Sequence, residues 1–304
     1  MEPIIFAGTP ANAAQTLRDL VAAEIPVALV VTREDAPFGR KRELKASEVA
    51  LAAKDLGLPT LKANRITDSA LSEIVASGSR LAIVVAYGAL LSQQAIDALE
   101  LGWFNLHFSI LPRWRGASPV QSALLAGDTE TGVTLFKIDA GVDTGPIVSQ
   151  VHTLIEPNED SGDVLRRLTQ LGSSLAIEQL PSLFAGIAQL NAQVGAPTHA
   201  PKYSRSDALL RASETAQLAE SKVRAFNPEP VAWLTVGQSP LRILRARQVP
   251  SEFPAGAIRL VAGKVVASFS DGSLELIEVQ PAGKNPMNAV DWWRGQRTQE
   301  VSFE

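Results

Sequence analysis

The chain has no cysteine, which excludes disulfides and any thiolate metal site. Its three histidines, His107, His152 and His199, follow no metal-ligand spacing, so no zinc or iron centre is expected. No run of about eighteen apolar residues occurs, which removes the usual signal of a membrane-spanning helix. The first apolar run already begins at Ile4, leaving no room for a signal or transit peptide before it, and the expected compartment is the cytoplasm. The dinucleotide fingerprint G-x-G-x-x-G is also missing: Gly8 is the one glycine between Ile5 and Leu20, which ranks a nicotinamide dehydrogenase low. A large excess of either charge is missing as well, since the net charge is −4. Within that small total, residues 201–304 hold 13 of the 28 Lys+Arg and 11 of the 32 Asp+Glu, so the C-terminal part is the better candidate for a polyanion contact.

What is present fits roughly two domains: 304 residues, 46% of them hydrophobic and 20% charged. Ile4 to Ala7 and Val27 to Val31 are short, nearly all-apolar runs, and Leu81 to Ala86 is a third. Between and after them, helical periodicity runs from Gly8-Thr9-Pro10 through Leu17, Leu20 and Val21, then over Ser47 to Leu56 and Ser92 to Leu99. Apolar strands alternating with helices predict a parallel sheet covered on both faces. Ser161 to Leu190 is helix-like, with breaks expected at Gly172 and Pro181. Residues 191–206 carry two prolines and no periodicity, predicting an extended linker between a domain over 1–190 and a second over 207–304. In the second domain a helix (Ala212 to Phe226) precedes five β-type runs: Ala232 to Val236, Leu241 to Ala246, Leu260 to Val261, Val265 to Ala267 and Leu274 to Val279. Gly and Pro separate them, which predicts a small barrel.

Chemistry concentrates between Asn105 and Asp143. Asn105 and His107 are two apart on a strand and share a face, the run Leu111-Pro112-Arg113-Trp114-Arg115-Gly116 is turn text, and Asp139-Ala140-Gly141-Val142-Asp143-Thr144-Gly145 is a Gly-Asp loop. Taken singly, a histidine on an apolar strand is a satisfied core residue and an Asp in such a loop is turn chemistry. Together they suit an acyl-transfer site, where an amide donates to an oxyanion and an acid orients an imidazole. Ser109 sits outside a nucleophile-elbow context. Two further loops stay open to two readings each. Val84 to Leu91 is an apolar, glycine-containing stretch that suits either core packing or the wall of a flat ligand. Arg33 to Lys45 is a long basic loop, read as a solvated connection or as a phosphate contact through Arg40, Lys41 and Arg42.

Several blocks in order along the chain resemble the formyltransferase family that uses 10-formyltetrahydrofolate. They are Ile5-Phe6-Ala7-Gly8-Thr9-Pro10, Val85-Ala86-Tyr87-Gly88, Asn105-Leu106-His107, Leu111 to Ala117, Gly132-Val133-Thr134, Asp143-Thr144-Gly145, Arg224-Ala225-Phe226-Asn227-Pro228 and Gln280 to Lys284. One departure stands beside the histidine, where Phe108 replaces the family's usual glycine. The resemblance implies an α/β fold: a Rossmann-like, mostly parallel catalytic domain followed by a small OB-like barrel that contacts tRNA. It implies that Asn105, His107 and Asp143 are catalytic, with Asp143 favouring a protonated His107. It also implies 10-formyltetrahydrofolate as formyl donor near Tyr87, Gly88, Ala89, Leu90, Leu91, Ser109, Leu111, Pro112, Ile138, Asp139, Ala140, Gly141 and Val142, with no metal. Initiator methionyl-tRNA is the implied acceptor, met by Arg40, Lys41 and Arg42 and, in the barrel, by Lys222, Arg224, Arg242, Arg245 and Arg247. Arg242 and Arg245 differ by three positions on a strand, which predicts opposite faces. Formyl transfer to a different amine, hydrolysis of the donor, and a non-catalytic tRNA-binding protein are the competing readings. Nothing in the sequence demands a dimer, and a monomer is expected.

Overall fold

In the computed structural model, which describes residues 1–39, 42–250, 253–296 and 298–304, the strands expected at Ile4 to Ala7, Val27 to Val31 and Leu81 to Ala86 form in one sheet, the last ending at Val85, whereas Leu260 and Val261 of the second domain are exposed. Arg40 and Lys41 lie outside the described residues. In chain order the elements are β1 (Ile4–Gly8), α1 (Ala11–Ala22), β2 (Val27–Thr32), β3 (Ala36–Phe38), β4 (Glu43–Lys45), α2 (Glu48–Asp55), β5 (Thr60–Lys62), α3 (Asp68–Ala76), β6 (Leu81–Val85), α4 (Gln93–Ile96), β7 (Gly102–His107), β8 (Arg115–Gly116), α5 (Pro119–Ala126), β9 (Glu130–Lys137), β10 (Ile147–Leu154), α6 (Ser161–Phe184) and β11 (His199–Ala200). There follow α7 (Ala216–Ala225), β12 (Trp233–Val236), β13 (Ser239–Val249), β14 (Ala257–Val261), β15 (Lys264–Ser268), β16 (Ser273–Pro281), β17 (Met287–Asn288), α8 (Ala289–Arg294) and β18 (Val301–Ser302). Two compact units divide them. One comprises Met1–Pro119, Glu130–Leu154 and Leu165–His199; the other comprises Val120–Thr129, Ile155–Val164 and Ala200–Glu304.

The first unit carries a sheet in the order β10-β9-β7-β6-β1-β2-β5. Strands β5, β2, β1, β6 and β7 run parallel, and every residue of β1 and β6 is buried, as a strand covered on both faces requires. Strand β9 then turns antiparallel to β7, and β10 antiparallel to β9, which gives the Rossmann-like sheet a mixed edge. Helix starts follow the caps. Ser47, Thr67 and Ser92 each accept a backbone N–H three residues on, so the expected helices begin one residue after Ser47 and Ser92. Helix α6 runs through both expected breaks. A Cβ on Gly172 would meet Val133 Cγ1 at 3.3 Å and Leu106 Cδ1 at 3.5 Å, so this glycine lets the helix approach the sheet closely. Pro181 lies in the final turn, where its missing N–H removes one helical bond without ending the helix.

The second unit holds an antiparallel, nearly closed barrel-like sheet in the order β12-β13-β16-β15-β14-β18, with β17 added on β16. Leu234, Ile243, Ile258, Val265 and Leu276 fill its core with Trp292 and Trp293 of α8, a helix that the sequence pattern missed because it is only six residues long. On β13, register shifts on either side of Arg245 reset the alternation. Leu241, Ile243 and Ala246 therefore turn toward the core, while Arg242, Arg245 and Arg247 are all exposed, which corrects the expectation of opposite faces. Among the described residues no helix is long and apolar enough to cross a membrane.

Candidate active site

The parallel strands end where the loops of the first unit open a cavity of about 520 Å³, a size suited to a small-molecule ligand. Asn105, His107 and Asp143 all line it, as do Tyr87 to Leu91 and Ile138 to Val142. Leu90 and Val142 stand 83% and 56% exposed, an apolar edge that water does not favour. Val84 and Ala86, from the apolar stretch that suited a ligand wall, also line it; Trp103, Leu106, Phe108, Gly116, Ala117, Pro119 and Phe136 complete the lining and were not among the expected residues. Most of them are apolar side chains that carry no chemical signal in a sequence. Phe108 is buried, so the ring beside His107 is packed into the wall.

The register of β7 sets the two polar side chains. Asn105 pairs with Phe136 and His107 with Thr134, so both leave the strand on one face, and the Asn105 amide is half-buried with no hydrogen bond among the described residues. His107 is buried. Its Nε2 lies 2.8 Å from the Trp114 carbonyl and its Nδ1 lies 3.6 Å from Asp143 Oδ2. Burial pushes the imidazole pKa down, and the opposing pulls of the Asp143 charge and the Trp114 carbonyl do not overcome it. Asp143 does favour the protonated ring, as expected, but burial outweighs it, so the resting His107 is neutral. A neutral imidazole has one N–H, and a carbonyl can only accept; Nε2 carries that hydrogen and Nδ1 keeps its lone pair.

The surrounding loops are built to hold this geometry. Trp114 and Asp143 adopt left-handed backbone angles of φ 62° and φ 52°, uncommon for residues with a Cβ, and Ala86 does the same at φ 47°. Asp143 Oδ2 accepts the Gly116 N–H at 2.7 Å. Asp139 Oδ1 accepts the Gly141 N–H at 3.1 Å and the Thr144 hydroxyl at 2.6 Å, folding the Gly-Asp loop on itself. Gly145 passes against β9 so closely that a Cβ would stand 1.8 Å from the Lys137 carbonyl oxygen. Opposite, Thr9 Oγ1 donates to the Tyr87 carbonyl at 2.8 Å, Arg33 donates to the Gly88 carbonyl at 2.8 Å, and the Tyr87 hydroxyl donates to the Ala63 carbonyl at 2.5 Å. Burial raises the pKa of that tyrosine, which holds it as a neutral, structural donor.

Three expected ligand contacts sit elsewhere. Ser109, Leu111 and Pro112 form the turn that supports the cavity rather than its lining: Ser109 Oγ donates to the Arg113 carbonyl at 2.6 Å, and Thr134 Oγ1 donates to the Ser109 carbonyl at 2.7 Å while accepting the Leu111 N–H at 3.1 Å. Of the expected polyanion contacts, Lys222 is buried, donating to the Leu209 carbonyl at 2.9 Å and paired with Glu214 at 2.5 Å. Arg224 donates to the carbonyls of Glu159 and Glu156 at 2.8 and 3.0 Å. Both cations are engaged in the second unit's own packing. Arg42 is exposed in the loop between β3 and β4, and Arg242, Arg245 and Arg247 are exposed on the barrel, with Arg242 bonded to Gln280 at 3.0 Å and Arg247 paired with Glu275 at 2.9 Å.

Residues 2–180 match the family described as formyl transferase, and residues 202–297 match the formyl transferase C-terminal domain. A methionyl-tRNA formyltransferase of Clavibacter michiganensis subsp. michiganensis is 42% identical over 301 residues, covering 98% of this chain and 99% of its own. The solved structure of a methionyl-tRNA formyltransferase from Clostridium thermocellum superposes with a TM-score of 0.60 at 14% identity, covering 94% of this chain and 100% of that one. An N-formyltransferase from Helicobacter canadensis, solved with folinic acid and dTDP-3-aminofucose, superposes with a TM-score of 0.65 at 18% identity, covering 92% and 100%. At those identities the two structures bear on the fold alone.

Proposed function

We propose, because this chain belongs to the formyl transferase family, that it moves a formyl group from 10-formyltetrahydrofolate to the α-amine of methionine esterified to initiator tRNA. The observation that carries the reading is the convergence of the Asn105 amide, the His107 Nδ1 lone pair and the Asp143 carboxylate on one apolar-edged cavity. The flat folate rings suit the wall from Tyr87 to Leu91 and Ile138 to Val142.

The attacking amine nitrogen forms a bond to the formyl carbon, the carbonyl oxygen becomes negative, and the carbon–nitrogen bond to the donor breaks as its nitrogen takes a proton. Asn105 donates to the developing oxyanion, an interaction stronger in the transition state than in the ground state. His107, neutral at rest, accepts the proton that the attacking nitrogen loses and then presents an N–H at Nδ1 toward the same cavity. Asp143 stabilises the imidazolium that this creates. The 3.6 Å between Nδ1 and Oδ2 is longer than a hydrogen bond, which leaves space for the reacting groups to bridge them. The exposed arginines of β13 are the surface we assign to tRNA phosphates, together with the basic loop around Arg42. A cytoplasmic, monomeric enzyme is the accompanying reading.

The test is transfer of labelled formyl from 10-formyltetrahydrofolate to methionyl-initiator tRNA by the purified protein. Label on free formate without acceptor marks a hydrolase. Transfer to a nucleotide-linked amino sugar but not to the tRNA marks a small-molecule transferase, and tRNA retention with no product at any donor concentration marks a binding protein.

A further inference from the structure

The segment after α6 reads as a connection in the sequence, but its first residues are hydrogen-bonded along the loops of the proposed site. Asn191 exchanges both backbone hydrogen bonds with Ile147, at 2.8 and 2.7 Å. Thr198 accepts the Trp114 N–H on Oγ1 at 2.8 Å and the Arg115 N–H on its carbonyl at 2.9 Å. Gln193 lies between these two fixed points, half-buried. Its Nε2 donates to the carbonyls of Asp143 at 2.8 Å and Gly145 at 2.9 Å, and its Oε1 accepts from Arg115 Nε at 3.1 Å and Nη2 at 2.6 Å. An amide has two N–H donors and two lone pairs, and all four are used here.

Asp143 is one of three non-glycine residues of the site held in a left-handed conformation. Its φ is 52°, a conformation that persists only where the surroundings over-determine it. Its carboxylate reaches back to the Gly116 N–H, next to Arg115, so the contacts close a ring: the Arg115 side chain to Gln193, Gln193 to the Asp143 main chain, and the Asp143 side chain to Gly116. No other side chain bonds the carbonyls of both Asp143 and Gly145 among the described residues.

We propose that Gln193, held by Arg115, is a positioning residue for formyl transfer, fixing the main chain at Asp143 and Gly145 so that the Asp143 carboxylate stays opposite His107. This rests on the roles proposed above for Asp143 and His107. Gln193 touches no reacting atom and acts through Asp143. A glutamine in a proline-containing connection, 50 residues from Asp143 in the chain, gives no sequence signal of that role.

Gln193→Glu separates positioning from simple anchoring of the connection. The side chain keeps its shape and its acceptor for Arg115 but loses both donors to the loop. The expected result is a fall in kcat of about tenfold to a hundredfold, as for partners that orient a reacting group, with both KM values within about twofold and an unchanged unfolding temperature. In an Asp143→Ala background the same change should cost under about twofold, because the group it positions is gone. Gln193→Leu, which removes the bonds without adding charge, should behave alike. A second measurement does not depend on turnover: the ¹⁵N-detected titration of His107 should move to lower pH in Gln193→Leu, in the same direction as in Asp143→Ala, as the carboxylate that favours the imidazolium leaves its place. An unmoved His107 titration, or losses that multiply in the double variant, would overturn the positioning role. An inactive wild-type protein would instead count against formyl transfer, with the titration still deciding the place of Gln193.

Discussion

The Trp114 carbonyl oxygen lies 2.8 Å from His107 Nε2 and fixes which ring nitrogen carries hydrogen. Trp114 presents that carbonyl from a left-handed backbone conformation, so the tautomer of a buried imidazole is set by the Leu111 to Gly116 turn. This places the lone pair at Nδ1, facing the Asp143 carboxylate.

A pH prediction follows from the burial of that ring. Burial holds the folded pKa of His107 below its ordinary value of 6.5, so below about pH 6.5 the unfolded chain binds a proton that the folded chain refuses. The contribution is neutral above that pH and destabilising as pH falls toward the folded pKa. Thermal unfolding between about pH 7 and pH 5 should therefore show a steeper loss for the wild type than for His107→Gln, which does not titrate. Parallel curves would mean that His107 is not the group responsible.

Activity should collapse when the site's donor or charge is removed. Asn105→Ala is expected to lower kcat by about a hundred- to a thousandfold, the usual loss for one oxyanion donor, with little change in KM for the folate. Asp143→Asn keeps an oxygen for the Gly116 N–H and removes only the charge that stabilises the imidazolium; its kcat should fall while its unfolding temperature stays close to wild type. Near-normal turnover in both variants would remove these residues from the chemistry.

The tRNA surface is tested through salt. If Arg242, Arg245 and Arg247 neutralise phosphates, replacing all three by Ala should lower the slope of log affinity against log salt by about two to three, at roughly 0.7 to 0.9 for each phosphate no longer neutralised. Arg40, Lys41 and Arg42, replaced together, should flatten the slope in the same way. A slope unchanged by the barrel variant would place the nucleic acid elsewhere.

How much of this was legible in the sequence differs from residue to residue. The buried parallel strands announced themselves as continuous apolar runs, and the spacing of Asn105 and His107 gave a shared face. Asp139 to Gly145 read as a turn because its residues bond their own backbone. The rest depends on partners distant in the chain. Ser109, Leu111 and Pro112 match the family text but support the turn from below, because Thr134 of the neighbouring strand takes their backbone groups. The facing of Arg245 was misread since a register irregularity leaves no compositional trace. Gln193 was passed over because its three partner residues lie 48 to 78 residues away.

Lys222 tests whether burial or charge decides the role of a cation in this chain. As a tRNA contact, its removal would lower affinity and flatten the salt slope while leaving the fold alone. The structure assigns it the opposite behaviour. Its ammonium is 2.5 Å from Glu214 and 2.9 Å from the Leu209 carbonyl, with the two side chains 11% and 15% exposed, so Lys222→Met would leave a nearly buried carboxylate with only the exposed Arg211 guanidinium, 3.8 Å away, as counter-charge. Removing one partner of such a pair costs about 3 to 5 kcal/mol when burial is complete, and somewhat less at this residual exposure. The expected outcome is a clear drop in the unfolding midpoint, measured in denaturant, with the salt slope of tRNA binding unchanged at temperatures where the variant is folded. Replacing Glu214 by Gln in the same variant should recover part of the stability, because the stranded charge goes with it. A stable Lys222→Met protein with a flattened slope would return Lys222 to the tRNA surface.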